Sequence, residues 1–134
     1  MKINTNELTG AALDWAVAKC EGATDLEFDG VTWGFKLGGK LRVLARGWAE
    51  SMTFLPSSNW AQGGPIIERE KIGVTFHDER DDWEVPNWGA WPTQTDDRQE
   101  IMGETPLIAA MRCYVASRLG DEVEVPVELL GETK

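Results

Sequence analysis

Two kinds of apolar pattern run along the chain. In "ELTGAALDWAVAKCEG", Leu8, Ala12, Trp15, Ala16 and Cys20 recur at helical spacing, most positions between them are also apolar, and Gly22 stands where a helix should stop. This predicts a helix buried on most sides. "ETPLIAAMRCYVASRLGDE" predicts a second one, with Thr105 as N-cap, Pro106 in the first turn and Gly120 as a left-handed stop. Between them the period shortens. "VTWGFKLGGKLRVLAR" holds two β-rich runs on either side of Gly38-Gly39, which predicts a hairpin with strands near Val31 to Leu37 and Lys40 to Ala45. A third strand is expected over Ser51 to Leu55, a short helical turn over Pro65 to Lys71 and a strand over Val74 to His77. Val123, Val125 and Val127 predict an edge strand, confined there by Pro126.

Residues 78–104 show no period while carrying Trp83, Trp88 and Trp91, and they read as an irregular acidic insert. The expected fold class is α+β: a small antiparallel sheet packed against two apolar helices, with a long Trp-rich acidic loop, in a single domain over residues 1–134. Helices apolar on all sides also predict a homo-oligomer, a dimer or higher.

Composition agrees with a packed core. A chain of 134 residues, 42% hydrophobic with seven Trp, buries about two-thirds of its unfolded surface without disulfides or metals. Thirteen basic against 23 acidic residues give a net charge of -10. That balance opposes duplex nucleic acid and anionic membranes, both of which need a basic footprint. The N-terminal "MKINTNELTG" has no apolar signal core, and no apolar run approaches the ~18 residues of a membrane span. Cys20 and Cys113 lie in separate helical segments without zinc-site spacing and read as free thiols. His77 is the only histidine, which rules out a multi-histidine metal site, and "HDERDDWE" lacks the mid-loop glycine of a calcium loop. No catalytic residue, metal or cofactor is expected.

One stretch offers ligand chemistry. In "SSNWAQGGPIIERE", Gly63 and Gly64 would let a ligand approach the backbone, and Pro65 at a helix start would leave the amides of Ile66 and Ile67 pointing outward as an anion site. Ser57, Ser58, Asn59 and Gln62 add donors and acceptors, and Trp60 could stack on a base or ribose. The alternative is a plain turn before a helix with Trp60 in the core. Asp14 and Arg112 interrupt the two apolar helices and need partners. They could contact ribose hydroxyls and a phosphate beside this loop, lie on a solvent stripe, or pair with each other.

"ELTGAALDWAVAKCEG", "PSSNWAQGGPIIERE" and "TPLIAAMRCYVASRLGDEVEVP" resemble, in the same order, three blocks of the NinX-like family of small proteins from the nin region of lambdoid phages. The resemblance implies a phage accessory protein in the cytoplasm of an infected bacterium, and no chemistry. Three functions are then open. The first is a non-catalytic binder that sequesters a nucleotide-derived antiphage signal, such as a cyclic nucleotide or an ADP-ribose-type messenger. The second is an acidic inhibitor of a host protein, anchored by Trp83, Trp88 and Trp91. The third is a metal-dependent hydrolase of such a signal.

Overall fold

The computed structural model describes residues 1–45, 49, 51–77, 87–94 and 100–133. Its element order is β1 (Lys2–Asn4), a 3₁₀ turn (Thr5–Glu7), α1 (Gly10–Cys20), β2 (Thr24–Phe28), β3 (Trp33–Leu37), β4 (Lys40–Val43), α2 (Trp60–Glu70), β5 (Ile72–His77), β6 (Asn87–Pro92), β7 (Ile101–Gly103), α3 (Pro106–Leu119), β8 (Glu122–Glu124) and a 3₁₀ segment (Val127–Thr133). The fold is α+β, as the sequence predicts. Its antiparallel strands divide among three small sheets, ordered β1-β8, β2-β3-β4 and β5-β6-β7.

α3 is the centre of the molecule. It lies against all three strands of the β5-β6-β7 sheet and against α1 and α2. Leu107, Ala109, Ala110, Met111, Cys113, Tyr114 and Val115 are all buried. Thr105 caps it by accepting from the Ile108 amide at 3.1 Å, and Gly120 closes it with φ 90°. Small residues set the distance to the sheet. A Cβ on Gly103, at the end of β7, would sit 2.5 Å from the Ala109 nitrogen, and Ala90 of β6 is fully buried. α1 buries Ala11 through Ala18 without a break. Its all-round apolar pattern is therefore satisfied within the chain, against α3 and the C-terminal 3₁₀ segment.

The two polar interruptions of these helices find partners, though not each other. Arg112 donates from Nε to the Leu8 carbonyl at 2.7 Å and from Nη1 to the Met102 carbonyl at 2.8 Å. It thereby ties the start of α1 to β7. Burial pulls its pKa below the ordinary arginine value, while Glu104 and Glu7 act in the opposite direction.

The β3–β4 hairpin forms as expected, with Gly38 and Gly39 both at positive φ (60° and 79°), the turn that glycine pairs favour. Four other expectations are corrected. Ser51 to Leu55 forms a single parallel bridge, Val43 to Thr53, in place of a strand. The Met52 carbonyl takes the Val43 amide at 2.7 Å, but the Thr53 carbonyl is occupied by the Arg42 guanidinium and the Gln62 side-chain amide, which ends the pairing there, and the third strand of this sheet is β2. The strand over Val123, Val125 and Val127 stops at Glu124, and Val127 is exposed at the start of a 3₁₀ segment, because Pro126 has no amide to continue the ladder. β6 and β7 lie inside the stretch read as irregular. Their period-two signal is lost because small residues, Gly89 and Ala90, interrupt the large ones in β6 and the space above glycine is filled across strands: Trp91 lies over Gly73 of β5 and the Glu100 carboxylate over Gly89. The rest of the insert, including Trp83, falls outside the described residues. The fourth correction, the start of α2, belongs to the site.

The C-terminal ends of the three helices meet in an ionic cluster. Arg69 donates to both Glu21 oxygens, at 3.1 and 2.6 Å, and to Glu70 at 2.8 Å. Arg118 reaches Glu70 at 3.0 Å, and the buried Tyr114 hydroxyl donates to Glu21. Burial alone would raise the Glu21 pKa, but the bonds from Arg69 and Tyr114 outweigh it and hold it below the ordinary 4.5. Glu70 is lowered as well, first by the bond from Arg69. Carboxyls depressed in the folded state stabilise it above the unfolded value of about 4.5. That contribution disappears as pH falls through the lower folded values. The urea midpoint should therefore be flat near neutrality and drop below about pH 4.5, and Glu21→Gln should flatten the drop. Arg112→Met leaves two buried carbonyls without donors and should cost about 2–4 kcal/mol in urea unfolding.

Candidate functional site

α2 begins at Trp60, five residues before the expected start at Pro65. Asn59 is the N-cap, its Oδ1 accepting from the Ala61 amide at 2.8 Å. Gly63, Gly64 and Pro65 therefore lie inside the helix. Ile66 and Ile67 are in its interior, where amides belong to the helical ladder, and the Ile66 side chain is buried in the core. The anion site expected on their amides is not formed.

Gln62 and Gly63 have packing roles. Gln62 accepts from the Leu55 amide at 2.7 Å and donates to the Thr53 carbonyl at 3.0 Å, pinning the preceding loop onto the helix. A Cβ on Gly63 would sit 2.4 Å from the Pro56 carbonyl oxygen and 2.6 Å from Leu107 Cδ2, so this glycine admits the backbone of its own chain and a side chain of α3. Gly64 is open, with Trp60 Cε3 at 3.8 Å as its nearest contact. Trp60 is 56% exposed and is not core.

The structure brings three of the expected residues together. Asp14, 2% exposed, accepts from the Ser57 amide at 2.8 Å through Oδ1. This bond holds the Leu55–Ser58 loop against the first turns of α1. Gly10 and Ala11 stand one turn before Asp14 and so share its face. Between them lies a cleft of about 760 Å³ lined by Thr9, Gly10, Ala11, Asp14, Ser57 and Ser58 on one side. Asp29, Val31, Thr32, Leu44, Ala45, Leu55 and Ile108 complete it. Asp29 shapes the β2–β3 turn by accepting from the amides of Val31 and Thr32, both at 2.8 Å, and those bonds lower its pKa. Asn59, Trp60, Gln62, Gly63, Gly64, Ile66 and Arg112 do not line the cleft.

Sequence reasoning missed Thr9, Gly10, Asp29 and Thr32, which reach the cleft only through tertiary packing. For α2, a usable signal was present. Asn59 followed three residues later by Gln62 is a capping-box pattern and marks a helix start at Trp60. Among the described residues no three His, Cys, Asp or Glu side chains gather as a metal-holding group. His77 is bonded to Glu100 at 3.0 Å and does not line the cleft, and Asp78 to Asp82 fall outside the described residues. Cys20 and Cys113 are free, and burial pushes both thiols up to about 11.

Fold and cleft together define a small α+β protein with a concave site of mixed polar and apolar lining between a helix start and two loops. Residues 4–118 match the family described as Bacteriophage P22, NinX, and the chain belongs to that family. No curated protein matches the chain. No described helix is long and apolar enough to cross a membrane.

Neighbouring glycines should respond differently to the same substitution. Gly63→Ala forces a Cβ into the backbone of Pro56 and should lower stability by about 1–3 kcal/mol or more. Gly64→Ala gains helix propensity but loses part of it before a proline, so its unfolding free energy should stay within about 0.5 kcal/mol of the parent. If both variants behave alike, the placement of Gly63 against Pro56 is wrong.

Proposed function

We propose that this phage accessory protein is a non-catalytic binder that sequesters a nucleotide-derived antiphage signal in the cytoplasm of the infected bacterium. The observation that supports it is the cleft. Its volume of about 760 Å³ is in the range of small-molecule sites. Its lining pairs the hydroxyls of Thr9, Thr32, Ser57 and Ser58 and the Asp29 carboxylate with an apolar wall of Leu44, Leu55 and Ile108. A ligand with a flat apolar part and several polar groups fits that set, as a base joined to a ribose phosphate does. Sequestration is favoured over turnover because His77 stands away from the cleft serines, held by Glu100.

An acidic inhibitor of a host protein is the second reading, favoured by Trp60, an exposed aromatic of the kind that anchors interfaces. The expected anchors Trp88 and Trp91 support it less, because both are partly buried in β6. A homo-oligomer belongs to the proposal as a separate element, read by light scattering on the pure chain.

The purified protein should be incubated with extract from bacteria whose nucleotide-signalling defence is active, washed, denatured and its released small molecules identified. Sequestration predicts one intact nucleotide-like molecule near one per chain, lost in Ser58→Trp, which fills the cleft from an exposed position, and retained in Trp60→Ala. A cleaved product in excess of protein would point to the hydrolase. Recovery of no small molecule, together with a host protein whose capture is lost in Trp60→Ala, would replace the proposal with the inhibitor.

A further inference from the structure

Two independent features converge at the α1 end of the cleft. The first is the start of α1, an eleven-residue helix whose N-cap, Thr9, makes no side-chain capping bond. Its first-turn amides therefore lack the usual internal acceptor. Gly10 and Ala11, the residues that carry this turn into the cleft, have almost no side chain to keep a ligand from the backbone.

The second is Ser57. Only 5% of the residue is exposed, it lines the cleft, and its amide is fixed by Asp14 at 2.8 Å. Its hydroxyl makes no hydrogen bond among the described residues. A hydroxyl without a protein partner, on a residue otherwise buried and open only toward the cleft, is available to a ligand acceptor there. Asp14 has a structural task here: it positions Ser57 by accepting its amide through Oδ1.

We infer that the α1 end of the cleft is a phosphate subsite, in which the first-turn amides of α1 and the Ser57 hydroxyl donate to the phosphoryl oxygens of a phosphomonoester or phosphodiester ligand. Helix-start amides and the helix dipole favour an anion at this point. The opposite wall has the reverse preference. Asp29 already accepts two amides through Oδ1, and its carboxylate suits ligand hydroxyl or amine donors. The cleft thus orients its ligand, phosphate toward α1 and sugar hydroxyls toward the β2–β3 turn. The assignment of a sugar end rests on the nucleotide reading above; the phosphate end rests on α1 and Ser57 alone.

Titrating inorganic phosphate into ¹⁵N-labelled protein, against sodium chloride at matched ionic strength, tests the subsite without any variant. The amides of Gly10, Ala11 and Ala12 should shift saturably with phosphate and not with chloride. Ser57→Ala, if folded by its amide spectrum, should weaken phosphate binding about tenfold or more, the loss expected for one hydrogen bond to a charged acceptor. Shifts confined to exposed lysines, shifts matched by chloride, or unchanged affinity in folded Ser57→Ala would each overturn the inference. Saturation at α1 with no nucleotide recovered from defence-active extract keeps the subsite and removes the sequestration reading. Recovery of a nucleotide with no shift at α1 does the reverse.

Discussion

A helix enclosed on nearly every side can tolerate polar groups only where partners are built in, and α3 imposes that condition on this fold. It carries two such groups deep in its length, Arg112 and Tyr114, and each organises a region around itself. Arg112 gathers the Leu8 and Met102 carbonyls, which come from the entry to α1 and from β7. Tyr114 meets Glu21, and through it Arg69 and the end of α2. The same enclosure explains the small residues around α3. Gly103 and Gly63 each stand where a Cβ would strike α3 itself, at Ala109 or Leu107. Close approach of backbones raises the dispersion gain of the core, and it makes those positions intolerant of a single added methyl.

The cleft inherits its geometry from that core. α1 is placed by packing on α3, and Arg112 holds the carbonyl of Leu8, two residues before the first turn of α1. The other wall is placed by α2: Gln62 pins Leu55 and Thr53, and the fit of Gly63 under Pro56 sets where the Ser57 loop crosses α1. Asp14 then closes the arrangement from the α1 side. The residues first read as ligand contacts thus split by physical role. Gln62 and Gly63 shape the wall, and Ser57 and Ser58 face the space it creates.

What could be read in the sequence was what local chemistry decides. α1, α3 and the hairpin follow from caps, stops and a glycine pair whose positive φ values need no knowledge of the rest of the chain. α2 failed as a reading because Gly-Gly-Pro breaks helices in isolation, whereas here tertiary contact at Gly63 demands the missing Cβ and holds the helix through it. β6 and β7 failed because glycine beneath tryptophan or glutamate is a cross-strand relation, visible only once the register Gly73 to Trp91 is known. For Asp14 and Arg112 the sequence showed correctly that each needs a partner. It could not show that the partners are backbone groups of distant segments, an amide in one case and two carbonyls in the other.

A chain with a net charge of -10 is a poor long-range attractor of phosphates, so the proposed subsite would have to act at short range. At physiological ionic strength, exposed charges more than about 8 Å from a bound anion are largely screened. Donors in contact with it act across a few ångströms of low-dielectric interior and are not. For the proposed subsite the acidic surface would therefore bear mainly on association rate, while affinity would be set by the groups of the cleft itself, the dipoles at the α1 start and the Ser57 hydroxyl against the Asp14 and Asp29 carboxylates. It also acts as a filter. Polyanions such as nucleic acids meet the whole field of the protein along their length, whereas a small phosphate ester meets only the cleft. On the proposed reading, an acidic chain with a locally positive helix end would in this way favour small phosphorylated ligands over nucleic acid.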